Sequence, residues 1–208
     1  MRLIGMLDSP YVRRVAVSLK VMGLPFSHEP VSVFRQYDQF AAVNPVVKAP
    51  TLVIGDETTG GGIVLMDSTL ILEHLERLVP ENRRLTPPDI GDHARAQRVI
   101  GLALAVCEKT VQIVYERNLR PEDKQHQPWI DRVQGQLLEA CRLLDAELGS
   151  GEAWLFGPRP LQADITAAVA WRFTRNALPG TVPEAAHPAL RALSQRAEAL
   201  PEFASTAI

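Results

Sequence analysis

Three short stretches of this chain carry residue types that could handle a small anionic or nucleophilic ligand. The first is Ser9-Pro10-Tyr11-Val12-Arg13-Arg14-Val15. An apolar run before it and helical spacing after it put Ser9 at a strand-to-helix turn, as an N-cap with Pro10 the first helical residue. A capping serine uses an acceptor lone pair, so its hydroxyl proton stays free to donate elsewhere. The start of a helix also carries partial positive charge and suits an anion such as a thiolate. The second stretch is Val46-Val47-Lys48-Ala49-Pro50-Thr51-Leu52, where a proline opens what otherwise reads as a strand. The third, Met66-Asp67-Ser68-Thr69, ends a strand and begins a helix, so Asp67 and Ser68 compete as its N-cap.

The elements that position these residues follow from periodicity. Leu3–Leu7 reads as a short buried strand, and Val12, Val15, Leu19 and Met22 mark one face of a helix that Gly23 and Pro25 end. Phe26–Val33 reads as a second strand, parallel to the first because a helix lies between them. Phe34–Asn44 is less regular and contributes a short helix or loop. Pro50–Ile54, the turn Gly60-Gly61-Gly62 and Ile63–Met66 read as an antiparallel hairpin. Ile71, Leu75 and Leu78, widened by Leu72, give the next helix the apolar face that covers it. The order is βαβαββα, a thioredoxin-like arrangement. Prolines at 80, 87 and 88 interrupt the pattern, and everything beyond reads as helix. The expected domains are therefore 1–79, a linker at 80–90 and an all-helical domain at 91–208. Within the last, helices are outlined by Ile100, Ala103, Cys107, Val111 and Val114; by Val133, Leu137, Cys141, Leu144 and Leu148; by Ile165, Val169 and Phe173; and by Leu190, Leu193, Ala197 and Leu200, the last opened by Pro188.

The 22 basic and 24 acidic residues leave a formal charge of −2, which gives no bulk field to recruit nucleic acid or an anionic membrane. No stretch approaches a membrane span, and Met1–Leu7 is too short for a signal segment. Cys107 and Cys141 are far apart and form no CxxC or metal-ligand spacing, so neither a disulfide framework nor a metal site is expected. A reduced, cytoplasmic setting follows.

Taken in order and spacing, Ser9–Val15, then Asn44–Leu52, then Asp67-Ser68 resemble the N-terminal domain of glutathione transferases, closest to bacterial proteins with a Ser-Pro-Phe/Tyr-Val-Arg start. The helical half agrees in length and layout. The resemblance implies that glutathione is the co-substrate and that no other cofactor is needed. It implies that Ser9 faces the sulfur, that Ala49-Pro50 is a cis step whose backbone meets the cysteinyl part, and that Asp67 and Ser68 receive the γ-glutamyl end. Lys48 matches a basic position near the glycyl carboxylate, although an exposed solubilising lysine is the plainer reading. A homodimer is implied as well.

Conjugation of the glutathione thiolate to a small hydrophobic electrophile is the expected reaction. Cys107, Val111, Tyr115 and Trp171 are the candidate electrophile residues, since they are apolar or aromatic on helices expected to line a cleft between the domains. Isomerisation, dehalogenation and reductive cleavage stay open, as do a non-catalytic interaction protein and a glutathione-binding protein with negligible turnover. The sequence also departs from the family pattern. Val47 stands where glycine is frequent, and Leu161 stands where Ser or Thr begins the helix that contains Asp164, which then reads as structural. Asp8, if it points inward, opposes thiolate formation. Tyr11 follows Pro10 inside the helix and is a poorer sulfur donor than Ser9, and Arg13 and Arg14 are expected on a solvated helix face.

Overall fold

The computed structural model describes residues 1–55, 62–150 and 153–207. Strand β1 (Arg2–Ile4) is shorter than the apolar run around it, because the chain leaves the sheet at Gly5. Gly5 has φ +138°, and a Cβ there would lie 2.7 Å from Val12 Cγ2 and 3.2 Å from the Ala49 Cβ. Only glycine allows β1 to end so close to the helix that follows and to Ala49. Helix α1 (Pro10–Met22) starts with its proline in the first position and stops at Gly23, whose φ of +70° makes the left-handed cap.

Strand β2 (Ser27–Glu29) runs parallel to β1 as expected. It covers only the start of Phe26–Val33, since Pro30 has no N–H for the ladder and the chain turns there. The irregular segment resolves into helix α2 (Tyr37–Val43). Strands β3 (Thr51–Ile54) and β4 (Ile63–Met66) form the expected antiparallel hairpin, with Thr51 opposite Met66 and Ile54 opposite Ile63. Gly60 and Gly61 lie outside the described residues. The sheet order is β2-β1-β3-β4. Helix α3 (Ser68–Glu76) buries Ile71, Leu72 and Leu75. Leu78 was expected on the same face, yet it lies past the helix end and is exposed.

Helix α1 is buried on almost every side. Arg13 and Arg14, expected in solvent, are 1% and 2% exposed. A helix that is apolar around its circumference has no wet face to offer, so its charged residues must find partners inside. Arg13 Nε donates to the carbonyl of Thr206 at 2.9 Å, and its guanidinium stands 5.7 Å over the Phe203 ring. The C-terminal residues from Leu200, including the single turn α8 (Pro201–Ala204), therefore group with Met1–Leu85 as one compact unit, although the sequence assigns them to the helical domain.

The second unit, Thr86–Ala199, is helical throughout its regular elements. Helix α4 (Ile90–Asn118) packs on α5 (Gln127–Glu147) and on α6 (Gln162–Ala177), and α7 (Pro188–Glu198) covers α6 and α5. Val133, Leu137, Cys141 and Leu144 form the buried stripe read from the sequence. Thr110 and Thr174 hydroxyls, 2.8 Å apart and buried, join α4 to α6. Asp145 of α5 accepts the Leu190 N–H at 2.8 Å and so finishes the start of α7, whose own N-cap side chain does not. Among the described residues no helix is long and apolar enough to cross a membrane.

Candidate functional site

Ser9 holds the N-cap position of α1 with extended backbone, φ −75° and ψ 124°, and its carbonyl accepts the Arg13 N–H at 2.9 Å. Its side chain makes no capping bond, contrary to the reading of Ser9 as a working cap. The reason is local: Pro10 has no N–H and fixes the first turn by its ring, so the helix starts without help from a hydroxyl. Among the described residues neither the proton nor the lone pairs of the Ser9 hydroxyl are committed to capping α1, and the side chain is half-buried beside the helix start. Asp8, which would oppose a thiolate from an inward position, is exposed. Tyr11 is half-buried within the helix.

The loop before β3 is organised by Asn44, which is buried. Its Oδ1 accepts the Val46 N–H at 3.1 Å, and its Nδ2 donates to Thr51 Oγ1 at 2.9 Å. Thr51 Oγ1 in turn donates to the Lys48 carbonyl at 2.9 Å. Every polar group in this chain of bonds has a partner, so the loop holds one shape. Within it Val47 adopts φ +53° and the Ala49–Pro50 bond is cis. The left-handed conformation explains why glycine is the easier residue at position 47, since a β-branched side chain is strained there.

Asp67 also has positive φ, +74°, and it rather than Ser68 is the N-cap of α3. Its Oδ1 accepts the Thr69 N–H at 2.9 Å, and its Oδ2 pairs with Lys48 Nζ at 3.2 Å. Partial desolvation pushes the Asp67 carboxyl up, but the Thr69 N–H, the Lys48 ammonium and the Leu70 N–H together outweigh it and hold the pKa below the ordinary carboxylate value. Ser68, only 4% exposed, opens the helix, and its Oγ accepts from Arg14 Nη1 at 3.2 Å. The same Nη1 lies 3.3 Å from Thr69 Oγ1.

Lys48, Asp67 and Ser68 therefore meet at the start of α3, and Ala49 lies against the end of β1 that leads into Ser9. This corner of the sheet offers an anion-binding helix start, a carboxylate for a cation and an uncommitted hydroxyl. Three residues of this architecture carry more than the sequence assigns them: Arg14, expected on a solvated helix face, and Asn44 and Thr51, which belong to a motif there without a role of their own. Asn44-Pro45 is a turn signal that could have drawn attention to the first of the loop's anchors. The small and apolar residues around α1 were the sign that Arg14 is buried.

In the helical unit a cavity of about 450 Å³ is lined by Val111, Gln112, Tyr115, Glu116, Leu119, Arg120 and Trp129. Two of the four expected electrophile residues, Val111 and Tyr115, are on its wall. The other two are not: Cys107 and Trp171 are 1% and 4% exposed. Cys107 falls on the buried stripe of α4, and the Trp171 ring packs against His187 with centroids 5.6 Å apart. Glu116 is committed to structure, with Oε1 on the His126 N–H and Oε2 on Arg120 Nε, each at 3.0 Å. No group of three or more His, Cys, Asp or Glu side chains among the described residues is arranged to hold a metal ion.

Helix α6 begins at Leu161, which has no atom able to accept an N–H. Asp164 supplies the acceptors instead, Oδ2 for the Leu161 N–H and Oδ1 for the Leu155 N–H, both at 3.0 Å. This carboxylate is fully buried. Burial pushes its pKa up by more than the Leu161 and Leu155 N–H groups, its own backbone and the Arg196 charge bring it down.

Comparison with known proteins places these features in context. Residues 3–83 match the family described as Glutathione S-transferase, N-terminal domain, and residues 127–196 match Glutathione S-transferase, C-terminal domain. The structure of a glutathione S-transferase from Methylobacterium radiotolerans, in complex with glutathione sulfonate, is 30% identical, with 99% of this chain and 93% of that one covered and a TM-score of 0.86. A glutathione transferase family member from Pseudomonas fluorescens with bound glutathione is 26% identical, with coverage of 99% and 97% and a TM-score of 0.81. Maleylacetoacetate isomerase of Pseudomonas aeruginosa is 28% identical over an alignment of 163 residues, with 73% of this chain and 71% of that protein covered.

Proposed function

The chain belongs to the glutathione S-transferase family of enzymes, and from that premise we propose that its first unit binds glutathione and that the bound thiolate is transferred to a small hydrophobic electrophile. The observation that carries this reading is the hydroxyl of Ser9, which stands at the start of α1 and makes no capping bond to it. It donates to the glutathione sulfur and so favours the thiolate. A free thiol titrates near 8.5, and bringing it down by about two pH units takes roughly 2.7 kcal/mol. One hydroxyl bond to an anion and a helix start supply an amount of that order.

The rest of the peptide follows the corner of the sheet. The backbone at Ala49, before cis Pro50, pairs with the cysteinyl part. The γ-glutamyl ammonium meets Asp67, and its carboxylate meets Ser68 and the start of α3. Lys48 faces the glycyl carboxylate. Its present bond to Asp67 is an exposed ion pair worth about 0 to 1 kcal/mol, so exchanging it for the ligand costs little. Val111 and Tyr115, with Leu119 and Trp129, offer the apolar and aromatic surface for the electrophile.

The isomerase relative favours a second reading of the same thiolate: addition to an activated double bond followed by expulsion gives an isomerised product and returns glutathione. Two buried cysteines that form no disulfide among the described residues suit a reducing cytoplasm. Exposed Ile63, Val64 and Met66 on edge strand β4, with Leu70 on α3, support a homodimer. The deciding experiment is a thermal-unfolding titration with reduced glutathione, followed by product analysis with an aromatic halide and with a cis-dicarboxylate alkene. A ligand at one hundred times its dissociation constant adds about 2.7 kcal/mol. No stabilisation at millimolar glutathione contradicts the proposal, stabilisation without either product leaves a binding protein, and the product formed separates conjugation from isomerisation.

A further inference from the structure

Ser68 is nearly buried and has one hydrogen-bonding partner among the described residues, Arg14, whose Nη1 donates to its Oγ at 3.2 Å. A guanidinium has donors only, so it occupies a lone pair of the hydroxyl and never its proton. The Ser68 hydroxyl must therefore send its proton elsewhere, and none of the described residues accepts it. At the start of α3 the outstanding acceptor is an anion, drawn there by the orphan N–H groups of the first turn.

Arg14 is unusually well placed to enforce this. It is 2% exposed on a helix whose ends and faces are packed, and the Ser18 hydroxyl bonds to its carbonyl at 2.7 Å. The same Nη1 reaches Thr69 Oγ1 at 3.3 Å, so the guanidinium bridges the first two residues of α3. A lysine ammonium in its place is a point donor on a flexible stem and does not present a fixed fork. Arg14 is also in the helix that Ser9 begins, which makes one element responsible for both ends of the ligand.

We propose that Arg14 is a positioning residue for the carboxylate of the γ-glutamyl group: by holding Ser68 Oγ as an acceptor it fixes the hydroxyl with its proton turned to the ligand. This rests on the reading that the γ-glutamyl end of glutathione binds at Asp67-Ser68. The ligand class that follows is a peptide or amino acid with a free α-carboxylate at this end. Arg14 touches neither sulfur nor electrophile, so its loss acts on ligand affinity and leaves the chemical step alone.

The test is a double-mutant cycle read by calorimetric titration of reduced glutathione onto the wild type, Arg14→Lys, Ser68→Ala and the double variant, with thermal unfolding of each. Arg14→Lys is expected to raise the dissociation constant about three- to tenfold, and Ser68→Ala about tenfold, as loss of one charge-assisted bond predicts. In the Ser68→Ala background the Arg14→Lys effect is expected to vanish, because there is no hydroxyl left to orient. In turnover, KM for glutathione should rise by the same factor while kcat is unchanged. Arg14→Gln, which keeps an amide donor without a buried charge, takes the place of the lysine variant if that one does not fold. If the two losses multiply in the double variant, Arg14 is structural only and the inference is overturned while the site stands. If the wild type binds no glutathione, the reading of the site falls and the inference falls with it.

Discussion

An aspartate serves the N–H groups at the start of both α3 and α6, and the two aspartates are used in opposite ways. Asp164 is buried at the third position of α6, and each of its oxygens takes one backbone N–H of its own chain. Asp67 caps α3 with one oxygen and leaves the other on an exposed lysine. Beside Asp67 stands Ser68, with a hydroxyl proton that no described residue accepts. The first helix start is finished by the fold; the second is left for something else to finish. A helix start of itself implies nothing about function, and the difference between these two lies in whether the polar groups around it already have partners.

The largest effect should come from breaking the closed start. Asp164→Ala strands the Leu155 and Leu161 N–H groups and is expected to cost about 2 to 5 kcal/mol in denaturant unfolding, with Asp164→Asn costing roughly half as much. A loss below about 1 kcal/mol would remove the distinction between the two helices. At the open start the effect moves from stability to binding. Asp67→Ala and Ser68→Ala should each weaken glutathione by about 1 to 3 kcal/mol in calorimetric titration, and only Asp67→Ala should also lose a cap, about 1 kcal/mol in unfolding. Equal affinity in all three proteins would make the two residues part of the helix and nothing more.

The smallest effect is in the pH dependence, where the two aspartates carry opposite signs. The Asp67 pKa is lowered in the folded state, so its contribution is present above the ordinary carboxylate value and is lost as pH falls through the folded one. The Asp164 pKa is raised, so the folded protein takes up its proton first, and stability rises as pH falls from that raised value to the ordinary one. On acidification the Tm of the wild type should therefore gain on Asp164→Asn and approach that of Asp67→Asn. The Asp67 slope will be the shallower, since its side chain is 41% exposed and solvent screens it. Slopes of the same sign would contradict the pairing of environments described here.

Much of the first unit is legible in the sequence because its signals are local. Gly23 ends α1, Pro10 opens it, and the hairpin registers on β4 as a run of apolar residues from Ile63 to Met66. What is not legible depends on contacts across the chain. Arg14 meets Ser68 across 54 positions and Arg13 meets Thr206 across 193, so nothing near the arginines distinguishes an inner from an outer face except how apolar the whole helix is. The candidate electrophile residues divide in exposure for the same reason. Val111 and Tyr115 differ from Cys107 only by a turn or two of α4, yet the stripe that α5 and α6 bury takes in Cys107 and leaves Tyr115 exposed. Type and place make Ser9 a cap in the sequence, and the missing bond follows only from how Pro10 sets the first turn of the folded helix.

The central claim is that the Ser9 hydroxyl is kept free for the sulfur of bound glutathione, and it is tested most directly by titrating that thiol. Thiolate absorbance of the glutathione complex should be followed against pH for the wild type, Ser9→Ala and Ser9→Asp, with unfolding measured alongside. The wild-type complex should titrate well below the free thiol, near 8.5, while Ser9→Ala moves back toward it and Ser9→Asp moves at least as far because a carboxylate adds negative charge and donates nothing. Ser9→Ala should leave stability within about 0.5 kcal/mol of wild type, since no cap is lost, and should lower turnover about tenfold to a thousandfold. An identical thiol titration in all three proteins, with turnover retained, would contradict the account.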